Sequence, residues 1–186
     1  MAKDTFTLTI HMVSSLDGYI AKRDNSVSWF ETPDHYEKGV GELNTEEFFK
    51  SADCYVMGAK TYEHAVELSE TYGWPYGEIP TFVLTHRNLP VHLPNIQMYS
   101  GNLEELVNTR LKPNYNSVWV VGGAVLVKNF FRLNLVNEIR QSILPILLGD
   151  GLPFYDQIGR EQPLHLKGVT AFKTGMVELS YEVGGV

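Results

Sequence analysis

The stretch Ser117-Val118-Trp119-Val120-Val121-Gly122-Gly123-Ala124-Val125-Leu126-Val127-Lys128-Asn129-Phe130-Phe131 decides the fold. Its first five residues, mostly apolar, read as a buried strand, the paired glycines as a turn, and the following run as a helix. Glycine reaches positive φ and carries no Cβ, so a ligand can lie against its backbone. The unpaired N–H groups at a helix start, helped by the helix dipole, favour an anion. A nucleotide pyrophosphate is such an anion. Plain close packing of helix on strand explains the same glycines equally well, and both readings stand at this point.

Working outward, strand-like runs alternate with helical ones. Strands are expected over 6–14, 53–57, 80–85, 96–99, 118–121 and 136–144, and helices over 45–51, 60–68, 103–111 and 124–132. The segments 164–172 and 177–182 read as a hairpin turning at Lys173-Thr174-Gly175. Alternation of this kind implies an α/β layer sandwich, mainly parallel, with an antiparallel hairpin at one edge. No repeat or linker interrupts residues 1–186, so one domain is expected. The longest irregular stretches, 22–41 and 72–78, are candidates for functional loops.

The 186 residues are 44% hydrophobic, enough for a substantial core. A net charge of −7 argues against a nucleic-acid partner, which needs a basic face. The single cysteine, Cys54, permits no intrachain disulfide and suits a reducing, cytoplasmic setting. The start of the chain lacks the apolar core of a signal peptide, and no apolar run is long enough for a membrane span. The six histidines and the cysteine show no metal-ligand spacing, so no metal is expected.

Three further motifs carry chemistry. Ser14-Ser15-Leu16-Asp17-Gly18-Tyr19-Ile20-Ala21 contains an Asp-Gly turn. Val56-Met57-Gly58-Ala59-Lys60-Thr61-Tyr62-Glu63 runs a strand into a helix start, where amides, the Thr61 hydroxyl and the Lys60 ammonium can meet an anion. Phe82-Val83-Leu84-Thr85-His86-Arg87 ends a strand in a hydroxyl, an imidazole and a guanidinium, a set that suits a phosphate monoester. Taken singly, each also reads as an ordinary turn, a capped helix or a solvated loop.

Their order and spacing, together with Val120-Val121-Gly122-Gly123-Ala124 and Pro145-Ile146-Leu147-Leu148-Gly149-Asp150-Gly151, resemble the dihydrofolate reductase-like family. The resemblance runs from about Thr7 to Tyr181 and is nearest the reductase (C-terminal) domain of the bifunctional riboflavin-biosynthesis deaminase/reductase. It implies a dihydrofolate reductase-like three-layer sandwich and NADPH as cofactor. Gly58, Lys60 and Thr61 would hold one side of the pyrophosphate and adenosine, and Gly122, Gly123, Ala124 and Leu126 the other. Thr85 and Arg87 would sit near the 2′-phosphate. The backbone around Met12 and Val13 would lie against the nicotinamide, with Ala21 and its loop closing over the ring. The resemblance also implies a homodimer, for which the tail strand 177–181 offers an apolar, β-rich edge.

The acid stands open. Asp34 follows Trp29 by five residues, as the folate enzymes' carboxylate follows a loop tryptophan, and could bind a pyrimidine edge and manage a proton. Equally, Pro33-Asp34 could begin a surface helix. Asp17 and Asp150 are the next carboxylates, with Glu31 and Glu37 nearby. Lys38 and Gln141 stand where the folate enzymes would place an aromatic residue and a threonine, which counts against folate as substrate. The deaminase zinc motif is absent from this sequence. The expectation is an NADPH-dependent reductase acting on a small heterocyclic or ribosylamino-pyrimidine substrate. The alternatives are a true dihydrofolate reductase and a nucleotide-binding protein without catalysis.

Overall fold

In the computed structural model, residues 6–31, 34–40 and 51–184 are described. Among the described residues there are ten strands and three helices, with a short 3-10 turn at Ser28–Glu31. They are β1 (Thr7–Ser15), β2 (Tyr19–Ala21), β3 (Cys54–Gly58), α1 (Ala59–Tyr72), β4 (Thr81–Leu84), β5 (Ile96–Tyr99), α2 (Leu103–Leu106, widening into a π-turn over Val107–Leu111), β6 (Ser117–Val120), α3 (Ala124–Arg132), β7 (Glu138–Leu144), β8 (Leu152–Pro153), β9 (Leu164–Ala171) and β10 (Val177–Val183). Eight strands form one sheet in the order β5-β4-β3-β6-β1-β7-β10-β9, and β2 pairs with β8. The first six are parallel, and β10 runs antiparallel to both its neighbours.

Alternation along the strands sorts the core into two layers. Leu8, Ile10, Val118, Val120, Cys54, Val56 and Phe82 pack with Leu106 and Leu111 of α2 and Val127 and Phe130 of α3. On the opposite face, Met57, Val83 and Ile96 pack with Tyr62 of α1, and Tyr55 packs with Trp119. Helices on both faces require central strands buried on both sides, and β3 and β6 are buried at seven of their nine positions.

The helix ends follow local chemistry. The Asn102 side chain accepts from the Glu104 and Glu105 amides at 2.7 and 3.3 Å, starting α2. Gly73, at φ 78°, closes α1 by returning its N–H to the Ser69 carbonyl at 3.0 Å.

Several expectations change. The helix expected over 45–51 lies outside the described residues, apart from Ser51 in a turn. The helix of 60–68 extends to Ala59–Tyr72. The tail strand is not an edge: β10 lies between β7 and β9, and β9 is the outer strand. A hairpin always has one inner and one outer arm, and sequence alone does not say which. Residues 34–40 begin no helix. They lie along the hairpin, with Tyr36 N–H on the Lys173 carbonyl and Val40 N–H on the Ala171 carbonyl, both at 2.8 Å.

Candidate functional site

Because β1, β3, β4, β6 and β7 are parallel, their C-terminal ends emerge together, and the loops that follow share one rim. There the end of β3 is joined to the residues that follow β6. Val121 N–H donates to the Val56 carbonyl at 3.0 Å, and Gly58 N–H to the Gly122 carbonyl at 2.9 Å. Gly58 is the N-cap of α1 and Gly123 of α3, and neither helix start has a side-chain cap. Two helix N-termini with uncapped amides therefore stand side by side.

The glycines divide into two kinds. Gly122 sits at φ 108°, and a Cβ on it would come within 2.9 Å of Met12 Sδ, so its conformation and packing both require glycine. A Cβ on Gly123 would meet only Thr61 Oγ1 at 3.8 Å, and one on Gly58 only Gly122 O and Gly123 N at 3.7 and 3.8 Å. Protein packing does not demand glycine at these two positions. They leave a trough over the helix starts, with the Thr61 hydroxyl at its side, and a diphosphate fits that cradle. Ala124 and Leu126 are half-buried in the first turn of α3, and Lys60 is exposed in that of α1.

A second recess of about 260 Å³ lies beyond β4 and β5, lined by Thr85, His86, Arg87, Asn88, Met98, Tyr99 and Ser100. Thr85 Oγ1 accepts the Arg87 amide at 2.9 Å. The Arg87 guanidinium is engaged: Nη1 and Nη2 donate to Glu63 Oε1 and Oε2 at 3.0 and 2.7 Å. That bond is the main cause lowering the Glu63 pKa and raising that of Arg87.

At the end of β1, Asp17 works as a clamp. It accepts from Ser15 Oγ at 2.6 Å and from the Leu148 and Gly149 amides at 3.1 and 2.8 Å. The Ser15 bond, first among these, holds its carboxyl below the usual range. With these three bonds Asp17 straps the loop after β1 to the loop that carries Leu148 and Gly149. Asp150 has a related task. It pairs with Arg23 at 2.7 Å and accepts the Gly151 amide at 2.9 Å. Ala21 is buried at the end of β2, where it pairs with Leu152 of β8.

The remaining substrate candidates are scattered. Trp29 is buried and meets Phe30 edge-on at 4.6 Å, so it packs the loop. Asp34 is exposed at the β9–β10 turn, where a Cβ on Gly175 would collide with its carboxylate. The turn is at the same end of the sheet as the cradle, since Val177 pairs with Ile143 and Ile143 with Ser14. By strand count it lies at least two spacings, about 10 Å, outward from β1. Lys38 is in the exposed turn of the same segment. Gln141 sits on the other sheet face from Val13, and its amide donates to Ser14 Oγ at 2.8 Å.

The face that Val13 shares carries a polar group the sequence reading missed. In the register, Val13 pairs with Ser142 and His11 with Arg140, while Glu178 pairs with Ser142. Arg140 donates to Glu178 at 2.6 Å, and its guanidinium lies 5.3 Å from the Trp119 ring centre. His11 is 4.6 Å from Trp119 between ring centres and 3.5 Å from Ser142 Oγ. Burial, with the Arg140 charge second, lowers the His11 pKa to about 3, so its imidazole is neutral near pH 7. The signal was the one-residue choice between Gln141 and its neighbours, because a one-residue shift changes the face.

Among the described residues no group of histidines, cysteines and carboxylates could hold a metal, and no helix is long and apolar enough to cross a membrane.

Comparisons with known proteins bear on the fold and the family. The uncharacterized protein YwjB of Bacillus subtilis is 28% identical over 172 residues, covering 92% of this chain and 95% of its own. The crystal structure of a putative riboflavin biosynthesis protein from Shewanella sp. PV-4 superimposes with a TM-score of 0.81 at 22% identity, covering 97% of this chain and all of that one. Dihydrofolate reductase from Enterococcus faecalis, complexed with NADP(H) and RAB-propyl, matches with a TM-score of 0.58 at 18% identity, covering 98% of each chain. The fold is thus the dihydrofolate reductase-like α/β sandwich. With the RibD C-terminal domain model matching residues 6–178, the chain belongs to the RibD C-terminal domain family.

Proposed function

We propose that this protein is an NADPH-dependent reductase of the riboflavin-biosynthesis type, reducing a ribosylamino-pyrimidine or a related small substrate. The observation that carries the reading is the pair of uncapped helix starts, α1 and α3, joined through Gly58 and Gly122 beside the end of β1. When bound, NADPH supplies a hydride to an electrophilic carbon such as that of a ring-opened sugar imine.

The chain's own residues bind, orient and exclude water. The amides of the two helix starts and the Thr61 hydroxyl take the diphosphate, with Lys60 adding charge. Thr85 and Arg87 take the adenosine end. The backbone at Met12 and Val13 and the buried Ala21 loop fix the plane of the reacting ring, and the Asp17 strap holds that loop down. Asp34 is the proposed proton carrier, exposed at the same end of the sheet. Family membership supports the substrate class. Gln141, turned away toward Ser14, disfavours a folate pocket built on that position.

A homodimer belongs to the same proposal, now through β9. It is the outer strand, and Leu164, Leu166 and Val169 on it are 44%, 50% and 58% exposed. Light scattering then reads twice the 21.0 kDa chain mass.

The deciding experiment follows NADPH oxidation with 5-amino-6-(5-phosphoribosylamino)uracil beside dihydrofolate. Turnover of the uracil and poor turnover of dihydrofolate is the expected result. Dihydrofolate turnover with kcat/KM on the order of 10⁵ M⁻¹s⁻¹ or above overturns the substrate assignment. Tight NADPH binding without turnover of either leaves a nucleotide-binding protein.

A further inference from the structure

Arg87, the residue aimed at a 2′-phosphate, already holds an anion. Its two terminal nitrogens bind both oxygens of Glu63 at 3.0 and 2.7 Å in a bidentate pair. The pair is half exposed, and Arg87 lines the 260 Å³ recess beyond β4 and β5. Its anchors differ. Glu63 rises from the second turn of α1, one turn after Lys60, whose charge also stabilises the carboxylate. Arg87 follows β4, with its amide fixed by Thr85. Two side chains from different elements thus meet at Arg87, which lines the recess.

Their preferences are opposite. A guanidinium favours a ribose 2′-phosphate, whereas a carboxylate accepts hydrogen bonds from a ribose 2′-hydroxyl and repels a phosphate dianion. Two of the five guanidinium N–H groups are committed to Glu63, leaving three for another anion. A 2′-phosphate that uses those three stands close to the Glu63 charge. A cofactor lacking the phosphate meets instead a carboxylate held in place by Arg87.

We propose that Glu63 is a specificity-determining residue for the dinucleotide. It offers an acceptor to a free 2′-hydroxyl and opposes a 2′-phosphate, so it holds the preference of the wild-type protein for NADPH over NADH to within about tenfold. This rests on the nicotinamide-reductase reading above.

The test titrates NADPH and NADH by fluorescence into wild type, Glu63→Gln and Arg87→Gln. The fragments 2′,5′-ADP and 5′-ADP serve as competitors that lack the nicotinamide. Glu63→Gln keeps the size of the side chain and a carbonyl acceptor for Arg87 while removing the charge. The expected result is a rise of about tenfold in the ratio of NADH to NADPH dissociation constants, about 1.4 kcal/mol, with the same shift between the two fragments. Arg87→Gln moves the ratio the other way. Thermal midpoints close to wild type show that both variants fold, and Glu63→Ala, expected to shift the ratio in the same direction, is the second acid-removing variant.

If NADPH binds and the ratio stays within twofold of wild type in both Glu63 variants, the inference is overturned and the reductase reading stands. Wild-type discrimination above about 100-fold, unmoved by Glu63→Gln, also overturns it. If neither dinucleotide binds, the cofactor reading itself fails, and the inference with it.

Discussion

The rim around Gly58 and Gly122 and the polar face around His11 and Arg140 are built in different ways. The rim is main chain: two helix starts, their glycines and two backbone bonds between the end of β3 and the residues after β6. The polar face is side chains from β1, β6, β7 and β10, whose members are separated by up to 167 positions (His11 to Glu178). The first can tolerate change wherever the backbone is kept. The second depends on every strand holding its register, because a one-residue slip sends each side chain to the other face.

The sharpest break of this contrast is Gly123→Val. The backbone there, at φ −81°, suits any residue, and an added Cβ meets only Thr61 Oγ1 at 3.8 Å. The fold is expected to survive while the trough fills. Loss of two phosphate contacts, at roughly 1.5–3 kcal/mol each, weakens NADPH by about 10²-fold or more. Fluorescence titration beside a thermal melt checks both halves. A folded variant with unchanged affinity makes the glycine turn purely structural. Gly122→Ala reverses the pattern and lowers the melting temperature, since a positive φ and Met12 both oppose the side chain.

The polar face should fail by unfolding instead. Arg140→Ala strands the Glu178 carboxylate, whose side chain is 8% exposed beside an Arg140 side chain that is 27% exposed. Removing one partner of such a pair costs about 3 kcal/mol, measurable by urea denaturation. A loss under about 1 kcal/mol, the level of a surface pair, would place the interaction in solvent.

His11 sharpens the same comparison through pH. Its folded pKa of about 3 lies below the ordinary 6.5, so between these values the unfolded chain binds a proton that the folded chain does not. Stability therefore falls as pH drops below about 6.5, by about 1.4 kcal/mol per unit. From pH 7 to pH 5 the wild type is expected to lose about 2 kcal/mol more than His11→Asn. Parallel pH profiles for the two would show that His11 titrates normally.

The smallest effect is expected at Asp34. A buried, positioned acid contributes 10² or more, and an exposed carboxylate acting through water contributes less, about tenfold. Steady-state kcat with Asp34→Asn reads this. An unchanged rate assigns the proton to bulk water and leaves Asp34 as a hairpin contact.

Legibility in the sequence followed the same division. The helix of Ala124–Arg132 and the strand of Ile96–Tyr99 were expected with the bounds observed, because glycine, asparagine and apolar periodicity mark them locally. The motifs at Gly58, Thr85 and Gly122 were legible for the same reason, each being one strand end and the turn after it. The polar face was not. Which of Arg140, Gln141 and Ser142 shares a side with Val13 depends on the pairing of β1 with β7, and Glu178 joins only through β10. The engagement of Arg87 by Glu63 was likewise hidden, since the two are 24 positions apart. Asp17 was visible as a carboxylate but not as a strap, because its partners Leu148 and Gly149 are more than 130 positions away.

That strap has a kinetic consequence. Leu16 N–H is bonded to the Ile146 carbonyl, Phe154 N–H to the Gly18 carbonyl, and the Leu148 and Gly149 amides to Asp17. Neither loop can lift without releasing the other, so the two open as one cooperative unit. Amide hydrogens at 16, 148, 149 and 154 should then exchange with solvent at a common opening rate, although the chain places them in two distant clusters. Protonating or removing the Asp17 carboxylate would split that shared rate in two, with 148 and 149 exchanging ahead of the pair held by backbone bonds.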